Sequence, residues 1–97
     1  MDEFVYLIRP VRENFINTMT SRESEVMEQH FNYLKNLKRE EIVIMAGPCL
    51  DGAFGIVILR ANSLGEATIL MENDPSVKEG IMSSELHPFR VSLLEGK

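Results

Sequence analysis

Two helix-start signals, Thr20-Ser21-Arg22-Glu23 and Ser63-Leu64-Gly65-Glu66, lie downstream of short apolar runs, and this repetition constrains the order of elements more than any other feature. In each, a hydroxyl three residues ahead of a glutamate has the form of a capping box, where side chain and backbone satisfy orphan helix donors reciprocally. Phe4 to Arg9 is an apolar run with β-branched and aromatic residues, ended by Pro10, and reads as a strand. The polar stretch from Arg12 to Thr18 reads as a loop, and the first helix runs from Thr20 to about Leu37 or Lys38. Ile42 to Ala46 is a second strand, and Gly47 to Gly52 supplies dense turn chemistry. Phe54 to Ala61 returns as a third strand, giving a hairpin. The second helix opens at Ser63, carries Leu64, Ala67, Leu70 and Met71 on one face, and stops at Asp74-Pro75. A turn from Val77 to Gly80 leads to a last strand over about Leu86 to Leu94, where Pro88 specifies a sheet edge.

The resulting order, βαββαβ, is the ferredoxin-like split arrangement of an α+β protein: a four-stranded antiparallel sheet with two helices on one face. Right-handed crossovers put strands one and three in the centre. Those strands, Phe4 to Ile8 and Ile56 to Leu59, are apolar on both faces, whereas helices cover only one. A second copy is the simplest cover for the other, so we expect a homodimer packed sheet to sheet, a dimeric α+β barrel. Ninety-seven residues accommodate one such domain, spanning 1–97.

Ten basic residues against 15 acidic ones give a net charge of −5. The one basic cluster, Lys35 to Arg39, is opposed at once by Glu40 and Glu41. Neither nucleic acid nor an anionic membrane is expected as a partner, because phosphate binding needs clustered Lys and Arg. A lone Cys49 argues against a disulfide framework and for a reducing compartment. The acidic start, Met1-Asp2-Glu3, leading directly into a strand, gives the expectation of no targeting peptide and of a cytoplasmic protein.

His30 is the residue on which chemistry would turn. At about 100° per residue, Val26, Met27, Phe31, Tyr33, Leu34 and Leu37 fall in one arc with His30 near its centre. An imidazole there must find partners for its ring nitrogens, as a core histidine or as a proton-transfer group. Asp74 closes the second helix on the face of Leu64, Ala67 and Met71, and both helices lie on one side of the sheet. A carboxylate in reach of His30 would orient the ring for acid–base work, while an Asp before Pro75 is equally suited to cap the following turn. The Gly47-Pro48 turn and Gly55 would give a small substrate room beside the backbone, although Gly55 also suits a bulge. His87, near the start of an edge strand, ranks below His30, and Arg9 and Arg60 read as strand-end cations that either bind an anion or are merely solvated. No metal and no cofactor is expected: the two histidines lack ligand spacing, and phosphate-cradling and dinucleotide signatures are missing from the sequence.

The sequence resembles the YCII-related family over nearly its whole length. The pattern comprises Arg9-Pro10, Met19-Thr20, Gln29-His30-Phe31-x-Tyr33-Leu34, Ala46-Gly47-Pro48, Asp51-Gly52 and Gly55-Ile56. It continues through Ala61-x-Ser63, Glu66-Ala67, Asp74-Pro75-x-Val77, Gly80 and His87-Pro88-Phe89. The resemblance implies small dimeric α+β-barrel proteins with a His–Asp pair in a cleft, matching His30 and Asp74. At least one related enzyme eliminates chloride from a hydroxylated aromatic ring without a cofactor. Two departures stand out: Glu40-Glu41 where a Gly commonly ends the loop, and Gln29 where an acidic residue often precedes the histidine.

Two functions follow as expectations. One is a cofactor-independent lyase, isomerase or dehydrochlorinase-like enzyme in which His30, oriented by Asp74, moves a proton on a small organic molecule. The other is a non-catalytic dimeric ligand-binding or interaction module in which the same pair is a structural hydrogen bond.

Overall fold

Alternation along the first strand decides which side of the sheet becomes the interior. In the computed structural model, which describes residues 1–96, β1 spans Asp2–Pro10 and buries Phe4, Tyr6 and Ile8, while Val5 and Leu7 between them stay partly covered. Successive strand side chains point to opposite faces, so the first set faces the helices and the second the open side. The remaining elements are α1 (Phe15–Thr18), α2 (Ser21–Arg39), β2 (Val43–Pro48), β3 (Gly55–Ala61), α3 (Leu64–Glu72), α4 (Pro75–Lys78) and β4 (Met82–Phe89). The antiparallel sheet has the order β2-β3-β1-β4, with the two apolar runs in the middle and the Pro88-bearing strand at an edge, as the sequence implies. The fold is ferredoxin-like α+β. Val57, Leu59 and Ala61 of β3 join the β1 row, and Val26, Leu34, Leu37, Ala67 and Met71 close over it from α2 and α3. Each large apolar side chain sealed there contributes about 1.5–3 kcal/mol relative to exposure.

Both helix starts are occupied, but differently. Thr20 forms the complete box: its hydroxyl accepts from Glu23 N–H at 3.1 Å, and the Glu23 carboxylate accepts from Thr20 N–H at 2.9 Å. Ser63 accepts from Glu66 N–H, whereas Glu66 reaches one residue further back, to Asn62 N–H, so the second box is only half reciprocal.

Four sequence expectations need correction. The segment 12–18 is not all loop: its single-turn α1 buries Phe15 under the sheet end, with the Arg12 guanidinium over the ring. Phe31 is 61% exposed, because it lies about 100° round the helix from His30 and outside the buried arc. Leu64, at the first position of α3, is also exposed. The last strand begins four residues earlier than expected and stops at Phe89. Ser83, Ser84 and Glu85 are drawn into it by pairing with β1, whereas Arg90 lies opposite Asp2, the first residue of β1, and beyond it no strand is left to meet. Instead Val91 N–H donates to the Glu3 carboxylate at 2.9 Å, which brings the following segment alongside Glu3, Ile44 and Arg60.

The end of α2 carries a local cost. Ile42 N–H donates to Leu37 C=O at 2.8 Å and Glu41 N–H to Lys38 C=O at 3.0 Å, the paired bonds of a Schellman turn. That turn places Glu41 at φ +64°, a left-handed conformation that glycine adopts freely. Glu41→Gly should therefore raise stability by about 0.5–1 kcal/mol, read as a higher urea midpoint at unchanged m-value; a lower midpoint would contradict this account of the turn.

Candidate active site

His30 lies on the buried arc of α2, and the end of α3 delivers Asp74 to it. Asn73 and Asp74 close α3, and Pro75 then takes the first position of α4, which makes Asp74 the cap of that short helix. Its Oδ1 accepts from Ser76 N–H at 2.9 Å and from the Ser76 hydroxyl at 2.8 Å. Cap and partner coincide in one side chain: His30 Nδ1 lies 2.7 Å from Oδ1 and 2.9 Å from Oδ2, while the Tyr6 hydroxyl donates to Oδ2 at 2.7 Å. Asp74, Ser76 and Tyr6 are wholly buried, and the His30 side chain is 12% exposed.

The donor count settles the charge of the carboxylate. Four groups point hydrogens at it: the Tyr6 phenol, the His30 ring, and the Ser76 amide and hydroxyl. Burial alone would raise the Asp74 carboxyl, but the His30 hydrogen bond and charge, with the bonds from Tyr6 and Ser76, hold it below the ordinary carboxylate value. An ionised carboxylate only accepts, so Nδ1 carries a proton. Among the described residues, Nε2 meets no protein partner, and no side-chain nitrogen or oxygen is both buried and unpartnered. Nε2 is thus the ring nitrogen that reaches the surface. Burial and the Asp74 charge push the Tyr6 phenol far above its ordinary value, so it stays protonated as a permanent donor. Tyr33, one turn along α2, donates to Leu70 C=O at 2.7 Å and ties α2 to the last turn of α3; burial, then Asp74, pushes it up to about 12.

Ser76 does not complete a nucleophilic triad. Its hydroxyl is buried, donates to Asp74, and lies 3.4 Å from Nδ1, the nitrogen already facing the carboxylate. Tyr6 and Ser76 are the residues that sequence reasoning passed over. Tyr6 hides inside an apolar run, although a phenol in a core row requires an acceptor. Ser76, two residues past a cap, is the ordinary recipient of a capping bond.

The other candidates are dispersed. Pro48 pairs with Gly55, and Gly55 with Ile8, two residues along from the Tyr6–Val57 pair on the same face and so about 7 Å away. A side chain at Gly55 would touch Ile8 at 3.4 Å, while Gly47 opens on empty space. The bulge of this hairpin falls between Val43 and Met45, away from Gly55. Arg9 and His87 both pair with Glu85, Arg60 donates to Glu41 C=O, and Cys49 is free and half-buried. A hollow of about 500 Å³ lies at the sheet end between residues 10–17 and 50–53, and neither His30 nor Asp74 lines it. Among the described residues no cluster of three or more His, Cys, Asp or Glu is arranged to hold a metal, and no helix is long and apolar enough to cross a membrane.

The YCII-related domain matches residues 3–90. The uncharacterized protein YjpA of Bacillus subtilis (strain 168) is 32% identical over 83 residues, covering 86% of this chain and 88% of the relative. Among solved structures, 5-chloro-2-hydroxyhydroquinone dehydrochlorinase (TftG) from Burkholderia phenoliruptrix AC1100, in complex with 2,5-dihydroxybenzoquinone, superposes with a TM-score of 0.67. That likeness covers 90% of this chain and 93% of the other at 22% identity, and it is a likeness of fold. The domain match takes in both His30 and Asp74 and, but for Asp2, all four strands, and the protein belongs to the YCII-related family.

Proposed function

We propose that this protein is a cofactor-independent acid–base enzyme acting on a small hydroxylated aromatic or enolisable molecule, with His30 as the catalytic base and Asp74 as its orienting partner. The observation that carries this reading is the ring's two-sided environment: Nδ1 held at 2.7 Å by a buried carboxylate, Nε2 facing outward. In the proposed step the Nε2 lone pair takes a proton from an acidic O–H or C–H of the substrate. The released electron pair either forms a new double bond as a leaving group such as chloride departs with its bonding electrons, or takes a proton back at another carbon. The first outcome is elimination and the second isomerisation; the imidazolium formed in between is balanced by Asp74. Similarity in fold to a dehydrochlorinase makes chlorinated hydroxyhydroquinones the first substrates to try. Pro48 and Gly55, on the Tyr6 face, and Gly47, beside open space, are proposed to flank the substrate. The free, half-buried Cys49 suits a reducing, cytoplasmic setting.

We further propose a homodimer joined through the open face of the sheet, where Val5, Leu7 and Ile56 are only partly covered and Met45 is 47% exposed. Light scattering should give twice the chain mass, and Leu7→Lys should give the chain mass with helix content unchanged. A wild-type monomer at micromolar concentration overturns the assembly.

His30→Ala should fold and lose about 100- to 10,000-fold in turnover of whichever phenolic or enol substrate the wild type accepts. Undiminished turnover in that variant removes the catalytic assignment, and ligand binding without turnover in either form favours the binding module.

Acid stability tests the charge state of Asp74. Because its folded value is depressed, the ionised form contributes stability that is complete above the unfolded value, near pH 4. That contribution is lost as pH falls through the lower folded value. Asp74→Asn should cost about 3–5 kcal/mol at pH 7, by leaving the surrounding donors without an anion, and should flatten the loss of stability below pH 4. An equally steep acid limb in the variant would show that Asp74 does not carry it.

A further inference from the structure

We propose that Tyr6 is a positioning residue for His30: its hydroxyl fixes Oδ2 of Asp74, Ser76 fixes Oδ1, and the carboxylate so clamped presents both oxygens to Nδ1 and leaves Nε2 as the bare nitrogen. The inference rests on the acid–base reading of His30 and extends it to a residue on the central strand, 68 positions away from Asp74 in sequence.

The geometry carries it. A cap needs one carboxylate oxygen, and Ser76 takes Oδ1 with two bonds of 2.9 and 2.8 Å. With nothing more, the carboxylate would be free to turn about its terminal torsion, which is broad and roughly two-fold. Such rotation would carry Oδ2 away from the imidazole. The phenol prevents this. It reaches Oδ2 at 2.7 Å, and Tyr6 itself is held in place, wholly buried on β1 between Val57 of β3 and Leu86 of β4. The titratable groups facing Asp74 are Tyr6 from β1 and His30 and Tyr33 from α2, and of these Tyr33 is committed to Leu70 C=O. Only Tyr6 and His30 therefore share Oδ2. The phenol never becomes the proton donor in the reaction: it is sealed from solvent and touches the carboxylate rather than a substrate. Its contribution is to the tautomer and direction of the ring.

The tautomer is directly measurable. Long-range ¹H–¹⁵N spectra of the wild-type protein, at a pH where His30 is neutral, should show the Nδ1–H form alone. Tyr6→Phe, which removes one oxygen and keeps the ring, should convert this to a mixture of tautomers and move the Asp74 carboxyl titration, followed by ¹³C, to higher pH. Ser76→Ala, which keeps the backbone N–H on Oδ1, should move it in the same direction. A wild-type ring in the Nε2–H form overturns the proposal whether or not either variant folds. A Tyr6→Phe protein with a single Nδ1–H tautomer and an unmoved Asp74 titration assigns Tyr6 to packing alone, and also overturns it. Neither spectrum depends on turnover, so the tautomer result stands even if His30→Ala disproves catalysis; a mixed wild-type tautomer in an active enzyme would sink this inference and spare the other.

Discussion

A carboxylate with no contact to water keeps its charge only when donors replace the hydration it has lost, and the centre of this fold is arranged around that requirement. Asp74 receives hydrogens from β1 through Tyr6, from α2 through His30, and from α4 through the amide and hydroxyl of Ser76. Three elements remote in sequence must therefore be in register before the charge is tolerated. The sheet places Tyr6, the Thr20 capping box sets where α2 begins and so which residues fall on its inner arc, and Pro75 sets where the chain turns after α3. An error in any of them leaves a buried anion short of a donor, at a cost of several kcal/mol. The site and the core are for this reason not separable: the row that seals the interior, Phe4–Tyr6–Ile8, also supplies a polar contact to the carboxylate.

How far this was legible in the sequence depends on whether the controlling interaction is local. Capping signals act within four residues, and both helices begin where Thr20 and Ser63 indicate. Helical periodicity is local as well, so His30 at the middle of the arc is inward-facing as expected, but periodicity does not fix the arc's width, and Phe31, counted within it, is exposed. The last strand shows the limit. Phe89, Val91 and Leu93 alternate as a strand would, yet only Phe89 has a partner, and Leu93 is 95% exposed. Alternation states a capacity for pairing; the length of β1 determines whether it is used. The converse holds for Ser83 to Glu85, poor strand formers that pair because β1 extends past them. Phe15 is the same lesson in a loop, where one aromatic in a polar stretch was the available sign of a buried turn. Tyr6 was unreadable as a site residue because nothing near it in sequence identifies an acceptor.

The two faces of the sheet divide the chain's properties between them. On the helix side, no buried side-chain donor or acceptor among the described residues is left without a partner. On the open side, Val5, Leu7 and Ile56 are flanked by the exposed Arg9–Glu85–His87 group, with the charges at the margin and the apolar residues in the middle. A hydrophobic patch with a polar rim is the anatomy that the proposed dimer interface would require. The same strands thus serve two tasks through alternation alone, Tyr6 inward to the carboxylate and its neighbours Val5 and Leu7 outward.

Capping alone does not account for the His30–Asp74 contact. Capping α4 needs one acceptor and is ordinarily met at the surface, where the spare oxygen is hydrated. Here the cap is fully buried, and its second oxygen is occupied by Tyr6 and shared with His30. An asparagine or serine would cap the helix without placing a charge in the interior. Retaining an anion there makes physical sense when something beside it must bear a positive charge part of the time. The partly exposed imidazole, with one nitrogen committed to that anion and the other free, is the group in this chain that fits the description.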